Sequence, residues 1–228
     1  TADGDITLGG LITTNAGGTA VVVTSTSGGL VDGGAAHIDI TANSGTVVID
    51  AKTGVGHAGN IDTTIATLDL DNTTSGNIDI NETDALAINQ LDQDGTGTVN
   101  VDAGGTITVV ASQSGVTATS GSVELDANGG SSNIVVNDGV TTTGGAVNLL
   151  ADDDVTFSAD GDVASANGIV TVTADIAGGN NGGVITMANG ALIDAGSGTI
   201  ALTADGDITL GGLITTNAGG TAVVVTST

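Results

Sequence analysis

Clustered aspartates are the residues of this chain whose type and spacing could do chemistry. They read Asp3-Gly4-Asp5, Asp92-Gln93-Asp94, Asp152-Asp153-Asp154, Asp160-Gly161-Asp162 and Asp205-Gly206-Asp207. Carboxylates this close together offer the several oxygens that calcium takes. The same residues also serve turns with no metal at all, because an aspartate side chain accepts hydrogen bonds from nearby backbone. No segment follows the nonapeptide calcium repeat, and none reads as a helix-flanked calcium loop. Calcium therefore enters as a weak ligand of these corners, with a diffuse cation atmosphere as the alternative.

Other chemistry is thinly provided. His37 and His57 stand apart in a chain with no Cys, which argues against zinc. The serines lack a plausible base. Two-carboxylate sugar cleavage needs one carboxyl raised in an apolar cleft, and a uniform rod supplies no obvious cleft. Sugar stacking would want aromatics, yet Phe157 is the single one. Threonines at Thr117, Thr119, Thr141 to Thr143, Thr215 and Thr216 hint at an ice-binding ladder, which Ala164-Ser165 and Ile193-Asp194 interrupt. The expectation is a protein without catalysis or cofactor.

The balance of charge narrows the partners. Lys52 is the only strong base against 26 acidic residues, for a net charge of −25. Nothing here could neutralise phosphates or hold the chain to an anionic membrane surface. No apolar run approaches the ~18 residues of a membrane helix, and no aromatic girdle marks an outer-membrane barrel. Without Trp, Tyr or Pro, and with 39 Gly, the core must be narrow, aliphatic and repetitive.

A seven-residue phrase supplies such a core. It runs Gly, any, Val/Ile, any, Val/Ile/Leu, any, Ala, as GTVVIDA at 45–51, GTVNVDA at 97–103, GSVELDA at 121–127, GAVNLLA at 145–151, GIVTVTA at 168–174 and GTIALTA at 198–204. AHIDITA at 36–42 keeps it with Ala36 for Gly, and 59–65 and 76–82 keep its first half. Alternation within each phrase predicts a strand with one buried face. The opening Gly is read as supplying an unusual backbone angle. Starts 23 to 30 residues apart are one turn of a β-solenoid each, the longest interval holding a polar insert at 174–181.

Residues 198–219 give the clearest turn: TIALTA, a corner at Asp205–Asp207, ITL, a corner at Gly211-Gly212, then LITT. Residues 145–167 copy that plan. Three strands and three corners predict a triangular cross-section, about nine turns per repeat, paired in parallel ~4.8 Å apart. The segment 84–92 reads as strand or loop. Register is open in 18–36 and 45–95: Val21 and Val23 or Ala20 and Val22 could face inward, and GTVVIDA could be a second face of the turn holding AHIDITA. An outward acidic stripe is expected at Asp39, Asp62 and Asp79, followed by Asn100, Glu124 and Asn148.

A longer period contains all of this. Residues 203–228 copy 1–26 letter for letter at an offset of 202. The chain thus reads as one continuous solenoid over 1–228, with 1–202 one tandem unit and 203–228 the start of the next. Its natural partners are further copies of itself.

The phrases GTVNVDA, GSVELDA and GTIALTA, with the corner ADGDITLGG, resemble the repeats of filamentous-haemagglutinin-like bacterial adhesins. That resemblance implies a single-stranded right-handed parallel β-helix, secretion to the cell surface, and a shaft used in adhesion or biofilm formation. A cell-surface or matrix ligand would then bind through other domains. A self-assembling extracellular filament or sheath is the alternative, and a calcium- or ice-binding solenoid a further one.

Overall fold

In the computed structural model, which describes residues 1–34, 37–57, 59–176 and 182–228, the chain is a parallel β-solenoid of about nine turns. Among the described residues, twenty-five strands form, they pair in parallel, and no helix occurs. Ala36 and residues 177–181 of the polar insert lie outside the described residues.

One column of aliphatic residues runs through the whole molecule. Ile6, Leu30, Val55, Ile78, Val99, Val123, Val147, Val170, Ile200 and Val223 are each paired with the next. From Ile6 to Val223 is 217 residues (223 minus 6) and nine turns, so each turn takes about 24 residues. The eight inner members are at most 1 % exposed. Stacking like on like lets each side chain bury against its counterparts above and below, worth about 25 cal/mol for each Å² of apolar area removed from water. The core therefore needs no large aromatic at its centre.

From turn 5 onward the cross-section has three sides. A five-residue strand forms one: Val99–Ala103, Val123–Ala127, Val147–Ala151, Val170–Ala174 and Ile200–Ala204. Two short strands form the others, as in Ile107–Val109 with Gly115–Ala118 and Val155–Phe157 with Val163–Ser165. The alternation buries every second residue of each long strand and ends on a buried Ala.

Turns 1 to 3 carry the opposite plan. There the Ile6 side is two short pieces, Ile6–Leu8 and Leu11–Ile12, and the far side is the single strand Thr19–Thr24. The twelve-residue strands Ile40–Ala51 and Ile61–Asn72 each bend from one side onto the other, so GTVVIDA is indeed a second face of its turn. The exchange happens at turn 4. Ile78–Glu82 covers the first side with one strand, Ile78 pairing with Val55 and Glu82 with Thr63. Leu86–Gln93 covers the second, its first residues pairing with Ile107–Val109 and its last with Gly115–Ala118. This exchange is why register in 45–95 was open from sequence. In the first turn Val21 and Val23 face inward at 6 % exposure and Val22 outward at 60 %.

The opening glycines hold their place for two reasons: Gly45 and Gly76 take the expected positive φ, at 75° and 81°, whereas the later ones are held by crowding. Gly121, Gly145, Gly168 and Gly198 are not among the residues of positive φ. A Cβ on Gly121 would stand 1.7 Å from the Gly97 carbonyl oxygen, and one on Gly168 would stand 1.9 Å from that of Gly145. Successive turns touch backbone to backbone at this corner, and a methyl group has no room.

Candidate functional site

The corner aspartates do not converge on a common centre; most of them tie one turn to the next. Asp5 Oδ1 accepts the backbone N–H of Gly29 at 2.9 Å. Asp154 Oδ1 accepts that of Val184 at 2.8 Å, Asp162 Oδ1 that of Leu192 at 2.9 Å, and buried Asp152 Oδ2 that of Gly130 at 2.6 Å. The Asp3 carboxylate accepts the Thr26 hydroxyl at 3.1 Å, and its copy Asp205 accepts Thr228 at the same distance. Asp94 and Asp153 join their neighbours through backbone N–H groups, to the carbonyls of Asn72 and Ser132. The Asp160 carbonyl accepts the N–H of Asp162, and that of Asp207 accepts the N–H of Ile185. A carboxylate accepting a backbone N–H makes a charge-assisted bond, and here it spans 22 to 30 residues of sequence. Among the described residues, no three acidic or histidine side chains gather as a metal site requires.

A ladder of negative charge lies elsewhere, on the outward row Asp50, Asp71 and Asp92, which occupy consecutive rungs. Thr24 donates to Asp50 at 3.2 Å, while Thr117 and Gln90 donate to Asp92 at 2.5 and 2.7 Å. Asp71, in the middle, has one carboxylate oxygen with no hydrogen-bond partner among the described residues. Burial chiefly, then repulsion from Asp94, Asp92 and Asp50, pushes its carboxyl above the usual range, with Lys52 opposing. Asp69, one row over, is raised by burial and by Asp50 and Asp92. The sequence carried a signal for this ladder, a 21-residue spacing between the three aspartates, but it lies in the stretch whose register was open.

The stripe expected on the first side is partly reassigned. Asp79, Asn100, Glu124 and Asn148 do share a row. Asp62 pairs with Asn81 instead of Asp79, and Asp39, next to Ile40 in that neighbouring row, is fully buried rather than outward. The Asp62 N–H donates to Asp39 Oδ2 at 3.1 Å, and half-buried His37 brings Nδ1 to 3.6 Å from Oδ1. Thr117 and Thr141 stack as expected, but the row continues as Ala164, Asp194 and Ile214, leaving Thr215 out of it.

Two polar features of the interior were not foreseen. One is a corner column: Asn72 and Gln93 are fully buried and bond to each other at 3.0 Å, and the Gln93 amide donates to the Gly76 carbonyl at 2.5 Å. Thr142 and Ser165 donate in the same way to the carbonyls of Gly121 and Gly145, at 2.6 and 2.7 Å. The recognisable signal is a Ser, Thr, Asn or Gln three or four residues before an opening glycine. The other is Glu82, 1 % exposed in the corner row where Ala103, Ala127 and Ala151 follow. It accepts the Thr63 hydroxyl at 2.6 Å and the N–H groups of Ile65 and Asp84 at 3.0 and 3.3 Å. Burial outweighs these bonds and raises its pKa to about 7.

A surface depression of about 540 Å³ lies between residues 187–192 and 209–212 and has no titratable side chain in its lining. Among the described residues, the surface is built of ladders that stack turn on turn.

Comparison with known protein families, curated proteins and solved structures found no match.

The coil's surface can attract cations, repel like rods, and hold a fixed spacing along the axis.

Proposed function

We propose that this coil is a spacer: the shaft of a secreted, cell-surface bacterial adhesin or extracellular fibre, acting by length and stiffness and without catalysis. The observation that carries the reading is the unbroken ten-rung column from Ile6 to Val223, joined to a 26-residue segment that begins the sequence again. A solenoid bonds only to its neighbours along one axis, so copies can be added without redesigning a core. The phrases that resemble filamentous-haemagglutinin-like repeats support the adhesin form of this reading. A self-assembling extracellular filament or sheath is the alternative form of the same reading.

The test is length against copy number. Chains carrying one, two and three 202-residue units should form rods that lengthen by about 41 Å per unit, from ~4.8 Å per turn, as seen by electron microscopy or X-ray scattering. A compact particle whose width grows with copy number would refute the spacer. Binding of an antibody against the repeat to intact, unpermeabilised cells tests surface display. End-to-end growth of single-unit rods would favour the filament form.

A further inference from the structure

Identical residues stand on opposite sides of the coil. Ile6 belongs to the first side, through Leu30, Val55 and Ile78. Its copy Ile208 belongs to the second, through Ile185, Val155, Ile134 and Ile107. Leu11 pairs with Ile40 on the first side, whereas its copy Leu213 pairs with Ile193 on the second. Val21 and Val23 pair with Val47 and Ile49 on the second side, and their copies Val223 and Val225 pair with Ile200 and Leu202 on the first. Every strand of the copied segment has changed sides.

We propose that consecutive 202-residue units are half a turn out of phase, so that a tandem array shows each surface feature on alternate flanks of the rod. This rests on the tandem reading above. The arithmetic agrees with it: at about 24 residues per turn, 202 residues make about eight and a half turns. The device that permits it is the exchange at turn 4. Each unit begins as short, short, long and moves its long strand to the other side at Ile78–Glu82. The next unit then meets short strands where it has short ones, and Val223–Ser227 lands on the long strand Ile200–Ala204. A second unit restores the original side, giving 404 residues, about 17 turns and about 82 Å.

The consequence is a two-sided spacer. The ladder of Asp50, Asp71 and Asp92 faces the second side here. In the following unit it faces the first side, about 41 Å further along the axis. Cations or neighbouring rods drawn to the ladder are therefore met on both flanks, and an array has no blank back.

Two experiments test this. The chain has no Cys, so a chain extended by one further unit can carry Thr171→Cys and its counterpart 202 residues on. With gold-cluster maleimide on both, electron microscopy should show the labels on opposite edges, offset by about 41 Å. Both labels on one edge of a lengthened rod would overturn the half-turn exchange alone. A rod that does not lengthen would overturn the tandem reading and the exchange with it. In the present chain, Ala201→Cys with Val224→Cys should close a disulfide on mild oxidation, because these residues are paired rungs. Failure of that pair to close would place Val224 on the other side and contradict the exchange.

Discussion

At the scale of single residues, crowding and burial decide most of what this chain tolerates. The glycines opening the long strands are the least replaceable positions. Gly145→Ala should cost about 3 kcal/mol, the upper range for overpacking, because the added carbon would lie 2.3 Å from the Gly121 backbone; chemical unfolding measures it. Glu82 makes a different prediction. Its folded pKa of about 7 lies above the ordinary 4.5, so the folded chain holds a proton that the unfolded chain has released. The stability this gives is complete below about pH 4.5 and is lost as pH rises through 7, by an amount on the order of 3 kcal/mol. Asp126, raised to about 6 by burial and then by Asp102, Glu124 and Asp152, acts in the same direction. Melting temperature should therefore climb as pH falls from 7.5 to 5, and Glu82→Gln should flatten that slope. A melting temperature that falls over the same range would show that other carboxylates dominate.

At the scale of elements, the strands were readable because their period-two alternation is strict. The phrase GxVxVxA gave the five long strands of turns 5 to 9 and their register, and the turn at 145–167 was found strand for strand. What sequence did not yield was the exchange of sides. A twelve-residue strand bending across a corner, such as Ile61–Asn72, keeps its alternation and hides the bend. The backbone angle expected of the opening glycines holds at Gly45 and Gly76, but the crowding at Gly121, Gly145, Gly168 and Gly198 was not foreseen, since backbone contact between turns is invisible to a single repeat. The corner hydroxyls were missed because Ser and Thr also populate outward rows. Their role is measurable. Thr142→Val leaves the Gly121 carbonyl without its 2.6 Å donor in a buried corner and should cost about 1–3 kcal/mol. The same change at exposed Thr119 should be near neutral.

At the scale of the molecule, the coil is a one-dimensional stack whose charge works against it. With a net charge of −25 and a ladder of aspartates on adjacent rungs, self-repulsion should be eased by any salt. Thermal stability should rise with sodium chloride, and calcium and magnesium should act alike at equal concentration, as befits corner aspartates that bond backbone rather than gather around one centre. A melting shift with calcium alone would reveal a specific site at those corners. Because each turn contacts mainly the turns beside it, a core truncation such as Leu125→Ala should lower local stability by about 2–5 kcal/mol. Hydrogen exchange should locate the loss near turns 5 to 7, with the ends of the rod little affected.

All of this depends on strands that stack in parallel, in register, once per turn. The most direct test uses spin labels at Asn100→Cys, Glu124→Cys and Asn148→Cys, three rungs of one outward row. Side chains about 4.8 Å apart along the stack should give a single exchange-narrowed line in the triple variant and ordinary three-line spectra in each single one. Three-line spectra from the triple variant would mean that these residues do not share a row, and the coil described above would be wrong.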